Sequence, residues 1–356
     1  MVKKFTAKEI LERLWPLMFI PQVFFLRPIG VELEGFVYDK NGEPVDLSAH
    51  LDIFKNVQSV WYAGHDLGKN QLEIAFHPYE NIRSYVRSLY EVFSFFASNK
   101  VTKEWVFLFS GTAEKTLGAA EGLAYKTKIE SLKKEHPDGG DLIVSGMTEH
   151  SATQLNFGIV DIFEEFGKKV LFANINWAPV LCVVLEAGVG DLYNNMRLPN
   201  AYKFASDVRG FHYKDWEFCK TVQERLFEVP QLYAVTPKGD YKYYGKSPQG
   251  FNQIHLGSIY WPSRFNGILE SGAGRYRGRI EARAPSSMPP QATPFAVLLY
   301  DHLLKFIKRT PIAELPLLSE EDWYYIQSKE DPERALAMAE EFVRSKLPIS
   351  EEYFLT

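Results

Sequence analysis

Four short stretches of this 356-residue chain alternate apolar and polar side chains with a period of two, and that alternation limits what the chain can fold into. In a strand, successive side chains point to opposite faces. In "GVELEG", Glu32 and Glu34 share one face while Val31 and Leu33 share the other. In "NQLEIAF", Gln71 and Glu73 oppose Leu72, Ile74 and Phe76. In "TQLNFG", Gln154 and Asn156 oppose Leu155 and Phe157. In "RYRGRIEARAPSS", Arg275, Arg277, Arg279, Glu281 and Arg283 fall on one parity, and Ile280 and Ala282 on the other. Each stretch reads as a strand with one apolar face and one face of carboxylates, amides or guanidinium groups. An antiparallel sheet packs one such face on helices and leaves the other wet.

The remaining sequence supplies the helices. "AKEILERLWPLM" and "NIRSYVRSLYEVFSFFASN" carry helical periodicity, the second with Ile82, Val86, Leu89, Val92 and Phe93 on one stripe. "GLAYKTKIESLKKEH" reads as a helix ended by "PDGGD", and "DIFEEFGKKVLFANINWAPVLCVVLEA" as helical and buried. "QLYAVTPKGDYKYY" reads as a hairpin around "PKGD". After the proline-rich "APSSMPPQATP" come "FAVLLYDHLLKFIKR" and "DPERALAMAEEFVRSKL", a helical tail expected on the outer face of the sheet. Strands and helices mix without strict βαβ order, so the fold class is α+β, not a doubly wound sheet.

Composition narrows the function. The net charge of −5 provides no bulk basic field for nucleic acid. Two cysteines, Cys182 and Cys219, form no CxxC pair, which argues against a zinc site and suits a reducing cytoplasm. Cys182 lies in an apolar run and reads as core. At the N-terminus, Glu9, Glu12, Arg13, Pro16 and Pro21 interrupt the apolar stretch, so an amphipathic helix is expected there and not a signal peptide. The uncharged apolar runs are too short to span a bilayer, and no membrane partner is expected.

The polar faces carry the chemistry. Carboxylates gathered on one face repel each other, and a divalent cation removes that cost. Mg²⁺ takes oxygen ligands and shares them with phosphates, and arginine is a fixed bidentate donor to phosphate. Together these point to phosphoryl chemistry on a nucleotide. Neither a GxxxxGK[ST] loop nor a GxGxxG turn after a strand is present, and "SGAGRYRG" reads as a lead into the charged strand.

In this order the strands resemble the glutamate–cysteine ligase superfamily, most closely its plant and proteobacterial branch. The motifs are "GVELEG", "QLEI", "TQLNFG", "LFANINWAP", Met196-Arg197, "DVRG" with Asp207 and Arg209, "EVPQLYAVTPKGDY", "HLGSIYWPSR" and "IEARAPSS". The likeness covers about residues 15–290. Ser286 stands where the family usually has an aspartate, and the plant regulatory cysteines have no counterpart.

The resemblance implies a glutamine synthetase-like catalytic fold: a curved, mainly antiparallel sheet with helices on one face and an ATP and metal site on the other. Residues 1–290 would form the carboxylate–amine ligase domain and 291–356 a helical C-terminal extension packed on it. The implied reaction is ATP-dependent formation of a γ-glutamyl amide through an acyl phosphate. Glu32, Glu34, Glu73 and Glu281 would hold Mg²⁺ or Mn²⁺, with Asp66 a further candidate. Gln154, Asn156 and Arg279 would lie at the nucleotide, although Arg277 and Arg279 also read as rim residues. Arg197, Arg209 and Arg283 would serve acyl phosphate, ATP phosphate or substrate carboxylate, with no assignment among them. His255 reads as core or as a residue behind the site. The expected partners are an acid such as glutamate and an amine. A phosphotransferase of the same fold and a catalytically degenerate regulatory relative remain open.

Overall fold

The computed structural model describes residues 3–135, 140–159, 164–187, 231–235, 241–246, 253–254, 263–270, 275–283, 285–328 and 331–347. The strands are β1 (Phe5–Thr6), β2 (Phe24–Tyr38), β3 (Tyr62–His65), β4 (Gln71–Ala75), β5 (Tyr79–Asn81) and β6 (Val106–Leu108). They continue with β7 (Thr153–Ile159), β8 (Gln231–Val235), β9 (Tyr241–Lys246), β10 (Gln253–Ile254), β11 (Ser263–Glu270) and β12 (Arg275–Ala282). The helices are α1 (Ala7–Leu14), α2 (Leu51–Phe54), α3 (Ile82–Ser98), α4 (Leu123–Glu135) and α5 (Gly140–Glu149). Then follow α6 (Glu165–Asn176), α7 (Ala178–Ala187), α8 (Thr293–Arg309), α9 (Glu320–Ser328) and α10 (Pro332–Lys346).

Ten strands join one sheet in the order β1-β6-β2-β7-β12-β11-β10, with β4 and β5 also paired to β2 and β3 paired to β4. Every pairing among the described residues is antiparallel. The 15-residue β2 is the spine, pairing with β4, β5, β6 and β7 along its length. The expected hairpin is present as β8–β9, with Val235 opposite Tyr241.

Alternation decides which face is dry. Ile29, Val31 and Leu33 of β2, Leu72 and Ile74 of β4, Leu155 and Phe157 of β7, and Ile280 of β12 belong to one buried apolar cluster. Helices α3, α6 and α8 supply its other side through residues such as Leu89, Val170 and Leu303. Burying such side chains at ~25 cal/mol per Å² is the main force holding helices to sheet. The C-terminal helices share this cluster through Trp323, Ala335 and Val343. Polar ties add direction: Asp301 of α8 accepts a hydrogen bond from the Leu26 amide at 2.7 Å, and Tyr85 of α3 meets Thr293 at 2.6 Å.

Three local readings need correction or refinement. The stretch "DIFEEFGKKVLFANINWAPVLCVVLEA", expected helical and mostly buried, is so over α6 and α7, but with a bend of 60° between them. Pro179 cannot donate to the helical ladder, and the side chains at the break turn to the C-terminal segment. Asn176 accepts from the Leu318 amide at 2.8 Å, and Trp177 Nε1 donates to the Pro316 carbonyl at 2.8 Å. Helix α5 begins inside "PDGGD" in a segment without clear periodicity, and the sequence pattern predicts neither it nor α9. The polar face of the sheet is also wet only toward its Arg279 edge. Glu34, Gln154, Asn156 and Glu281 are buried, with partners on the same face and on the segment after β12.

Among the described residues no single helix is long and apolar enough to cross a membrane.

Candidate active site

Register brings the polar residues together in rows across the strands. Glu32 of β2 lies between Ala75 of β4 and Gln154 of β7. Glu34 lies opposite Glu73. Asn156 lies between Gly30 of β2 and Glu281 of β12. Gly158 lies opposite Arg279. The sheet thus gathers Glu32, Glu34, Glu73 and Glu281 with Gln154, Asn156, Arg279 and Arg283 on one face, as alternation requires.

These side chains form a hydrogen-bonded chain. Arg283 Nε is 3.0 Å from Glu281 Oε1 and donates to Gln154 Oε1 at 3.3 Å. The Gln154 amide nitrogen in turn donates to Glu34 Oε1. The other Glu34 oxygen accepts from the Ala152 amide at 2.8 Å. A second branch joins Glu32 Oε1 to Asn156 Nδ2 at 3.0 Å and to Arg279 at 3.4 Å. Glu281 is fully buried and Arg279 is nearly half exposed, so the face grades from a dry interior to a solvent edge.

The segment after β12 closes one end. Ser286 forms a β-bridge with Ala152, and the Ser287 hydroxyl donates to the Glu34 carbonyl. Ser286 is therefore a buried residue beside the network. Gln71, on the same parity as Glu73, is turned to loop closure: it accepts from the Gly68 amide at 2.9 Å and donates to the His150 carbonyl at 2.8 Å.

Sequence reasoning missed a tyrosine pair at the Glu73 end. Tyr62 and Tyr125 both donate to the His65 carbonyl, at 2.9 and 3.1 Å. Gly64 makes this possible, because a Cβ there would lie 2.5 Å from the Tyr62 hydroxyl. Burial, and next the charge of Glu73, push the Tyr62 phenol up to about 12. Burial first, then Tyr62, Asp66 and Glu73, push Tyr125 up as well. Neither tyrosine sits in an alternating stretch, so only their shared hydrogen bonds to the His65 carbonyl identify them.

Among the described residues the candidate ligand atoms on this face are oxygens, which fits Mg²⁺ or Mn²⁺ in kind. Asn156 Oδ1 is buried with no hydrogen-bond partner among the described residues, an acceptor set among carboxylates. Among the described residues, no three His, Cys, Asp or Glu side chains already converge tightly enough to hold an ion. Arg197, Arg209 and His255 lie outside the described residues, as do the side chains of Arg275 and Arg277.

The fold is one found among amino-acid ligases. The chain superposes on a bifunctional glutathione synthetase from Pasteurella multocida with a TM-score of 0.54, 12% identity, 98% of this chain and 49% of that one. It superposes on the glutamate–cysteine ligase from Francisella tularensis, solved in complex with AMP, with a TM-score of 0.53, 13% identity, 89% of this chain and 72% of that one. The chain thus spans about half the length of the bifunctional synthetase. No family model matches the sequence, and no curated protein is similar to it in sequence. The likeness read from the motifs holds at the level of the fold.

Proposed function

We propose that the protein is an ATP-dependent carboxylate–amine ligase that forms a γ-glutamyl amide and releases ADP and phosphate. The observation that supports this reading most is the row of four carboxylates and two arginines on one face of a sheet whose fold glutamate–cysteine ligase shares. On this reading Glu32, Glu34, Glu73 and Glu281 hold Mg²⁺ or Mn²⁺, which when bound neutralises phosphate charge. Gln154 and Arg279 face the nucleotide, and Asn156 lies between them and the carboxylates. Arg283 fixes Gln154, and through it Glu34, while its charge stabilises the transferring phosphoryl group. Arg197 and Arg209 bind anionic groups of the substrates. Residues 1–290 carry the site, and 291–356 extend its helical layer.

The chemistry balances simply. The γ-phosphoryl group passes from ATP to a carboxylate oxygen, giving ADP and an acyl phosphate. An amine attacks the acyl carbon, loses a proton, and phosphate leaves with that carboxylate oxygen. The buried, preorganised donors act where water is excluded, and there they are worth most. The cysteine content fits a reducing cytoplasm.

Hydroxylamine as a surrogate amine tests the reaction class without knowing the natural amine. With MgATP and glutamate, acid-dependent hydroxamate equal to the ADP released supports the ligase. A stable phosphorylated product without hydroxamate points to a phosphotransferase. The Glu281 carboxylate is already paired with Arg283, and this favours a second reading, a relative that only binds. Nucleotide binding that is indifferent to metal, with no ADP formed, would support it.

A further inference from the structure

Asn156 carries an atom that the hydrogen-bonded chain does not use. The residue is only 7% exposed, and its side-chain oxygen is buried without a hydrogen-bond partner among the described residues. Its orientation is set by chemistry. Asn156 Nδ2 lies 3.0 Å from Glu32 Oε1, and an ionised carboxylate only accepts, so the nitrogen is the atom bonded to Glu32 Oε1 and the oxygen is left for another partner. Buried polar groups are normally satisfied, and one that is not calls for a specific occupant.

The neighbours define that occupant. Directly opposite on β12 stands Glu281, and opposite on β2 stands Gly30. A Cβ at Gly30 would lie 3.7 Å from the Asn156 Cβ. Two residues along β7, on the same face, is Gly158. Glycine at both positions adds no side chain of its own beside Asn156, where backbone of Phe76 and Pro78 and the ring of Pro28 already lie 3.6–3.9 Å from where a Cβ would stand. Across the face, four carboxylates against Arg279 and Arg283 leave two formal negative charges, the charge that one divalent cation carries. Hard divalent cations take carboxylate and amide-carbonyl oxygens in one shell.

We infer that the Asn156 side-chain oxygen is a direct ligand of a divalent cation shared with Glu32 and Glu281. This rests on the reading of the face as metal-binding, and it moves Asn156 from the nucleotide to the metal. The three ligands come from three adjacent strands, β2, β7 and β12, so the ion fastens the centre of the sheet.

The test is Mn²⁺ binding to the nucleotide-free full chain, read by loss of the free-ion electron paramagnetic resonance signal. Wild type, Asn156→Ala, Asn156→Asp and Glu32→Gln are compared, with circular dichroism confirming the fold of each. The expected result is at least ten-fold weaker binding in Asn156→Ala and Glu32→Gln, and equal or tighter binding in Asn156→Asp. Unchanged affinity in Asn156→Ala beside a loss in Glu32→Gln would overturn the Asn156 assignment alone. Should Asn156→Ala not fold, weaker binding in the isosteric Asn156→Asp overturns it. A wild type that takes up no Mn²⁺ at millimolar concentration would overturn both this inference and the metal assignment beneath it.

Discussion

Arg283 and Glu281 form an ion pair across 3.0 Å in which the glutamate is fully shielded from water and the arginine is one-tenth exposed. They stand two residues apart on one strand end, and the arginine also reaches Gln154 on the neighbouring strand. The pair ties the most deeply buried charge of the face to the side chain that orients Glu34.

Removing one partner leaves a buried charge uncompensated, which typically costs about 3–5 kcal/mol. Arg283→Met should therefore lower the unfolding free energy by about that amount in urea titrations. The double variant with Glu281→Gln should recover much of the loss. A single-variant loss no larger than a surface substitution gives would show that the pair is wetter than its burial indicates.

Glu73 and Glu34 meet head-on across β2 and β4, and like charges directly opposite destabilise a sheet. In the absence of divalent metal, Glu73→Gln should leave stability unchanged or raise it by about 0.2–1 kcal/mol. With Mg²⁺ present the variant should gain less stability than wild type. Thermal melts with and without Mg²⁺ measure both. A variant less stable in chelator and equally responsive to Mg²⁺ would exclude a shared cation.

Tyr62 gives a pH signature. Its folded phenol is raised to about 12 from an ordinary 10, by burial first and by Glu73 second. A raised acid group loses its proton in the unfolded chain first. Its contribution to stability is therefore complete below about pH 10 and is lost as pH rises toward 12. In alkaline absorbance titrations, the tyrosinate missing from Tyr62→Phe should be one with a midpoint near 12. Loss of a component near 10 would contradict the burial of Tyr62.

Gly35 is fixed by close approach. A Cβ there would lie 2.7 and 2.9 Å from ring carbons of Phe109, which is itself buried against Phe93 and Phe107. Overpacking of this kind costs about 1–3 kcal/mol, so Gly35→Ala should lower the urea midpoint accordingly. An unchanged midpoint would mean that the aromatic cluster shifts freely.

Legibility followed periodicity. The parities of Glu32, Glu34, Glu73, Gln154, Asn156 and Glu281 were plain from alternation, and a face is fixed once parity is known. Register was not, because which residue of β7 meets Glu32 depends on tertiary packing. Hence the Arg283–Gln154–Glu34 chain could not be read in advance, nor could the burial of a face expected to be wet. Tyr125 reaches the His65 carbonyl from a helix distant in sequence, which no spacing rule captures. Helix α5 begins in "GGD", where glycine and weak periodicity conceal a helix that tertiary contacts stabilise.

The most direct measurement is ADP release with MgATP and glutamate across a panel of amines, with mass spectrometry of the products. A ligase gives amine-dependent ADP and a product whose mass is the sum of acid and amine less water, and Glu32→Gln run beside it gives neither. ADP release that ignores the amine, or a product carrying phosphate in place of the amine, would contradict the account.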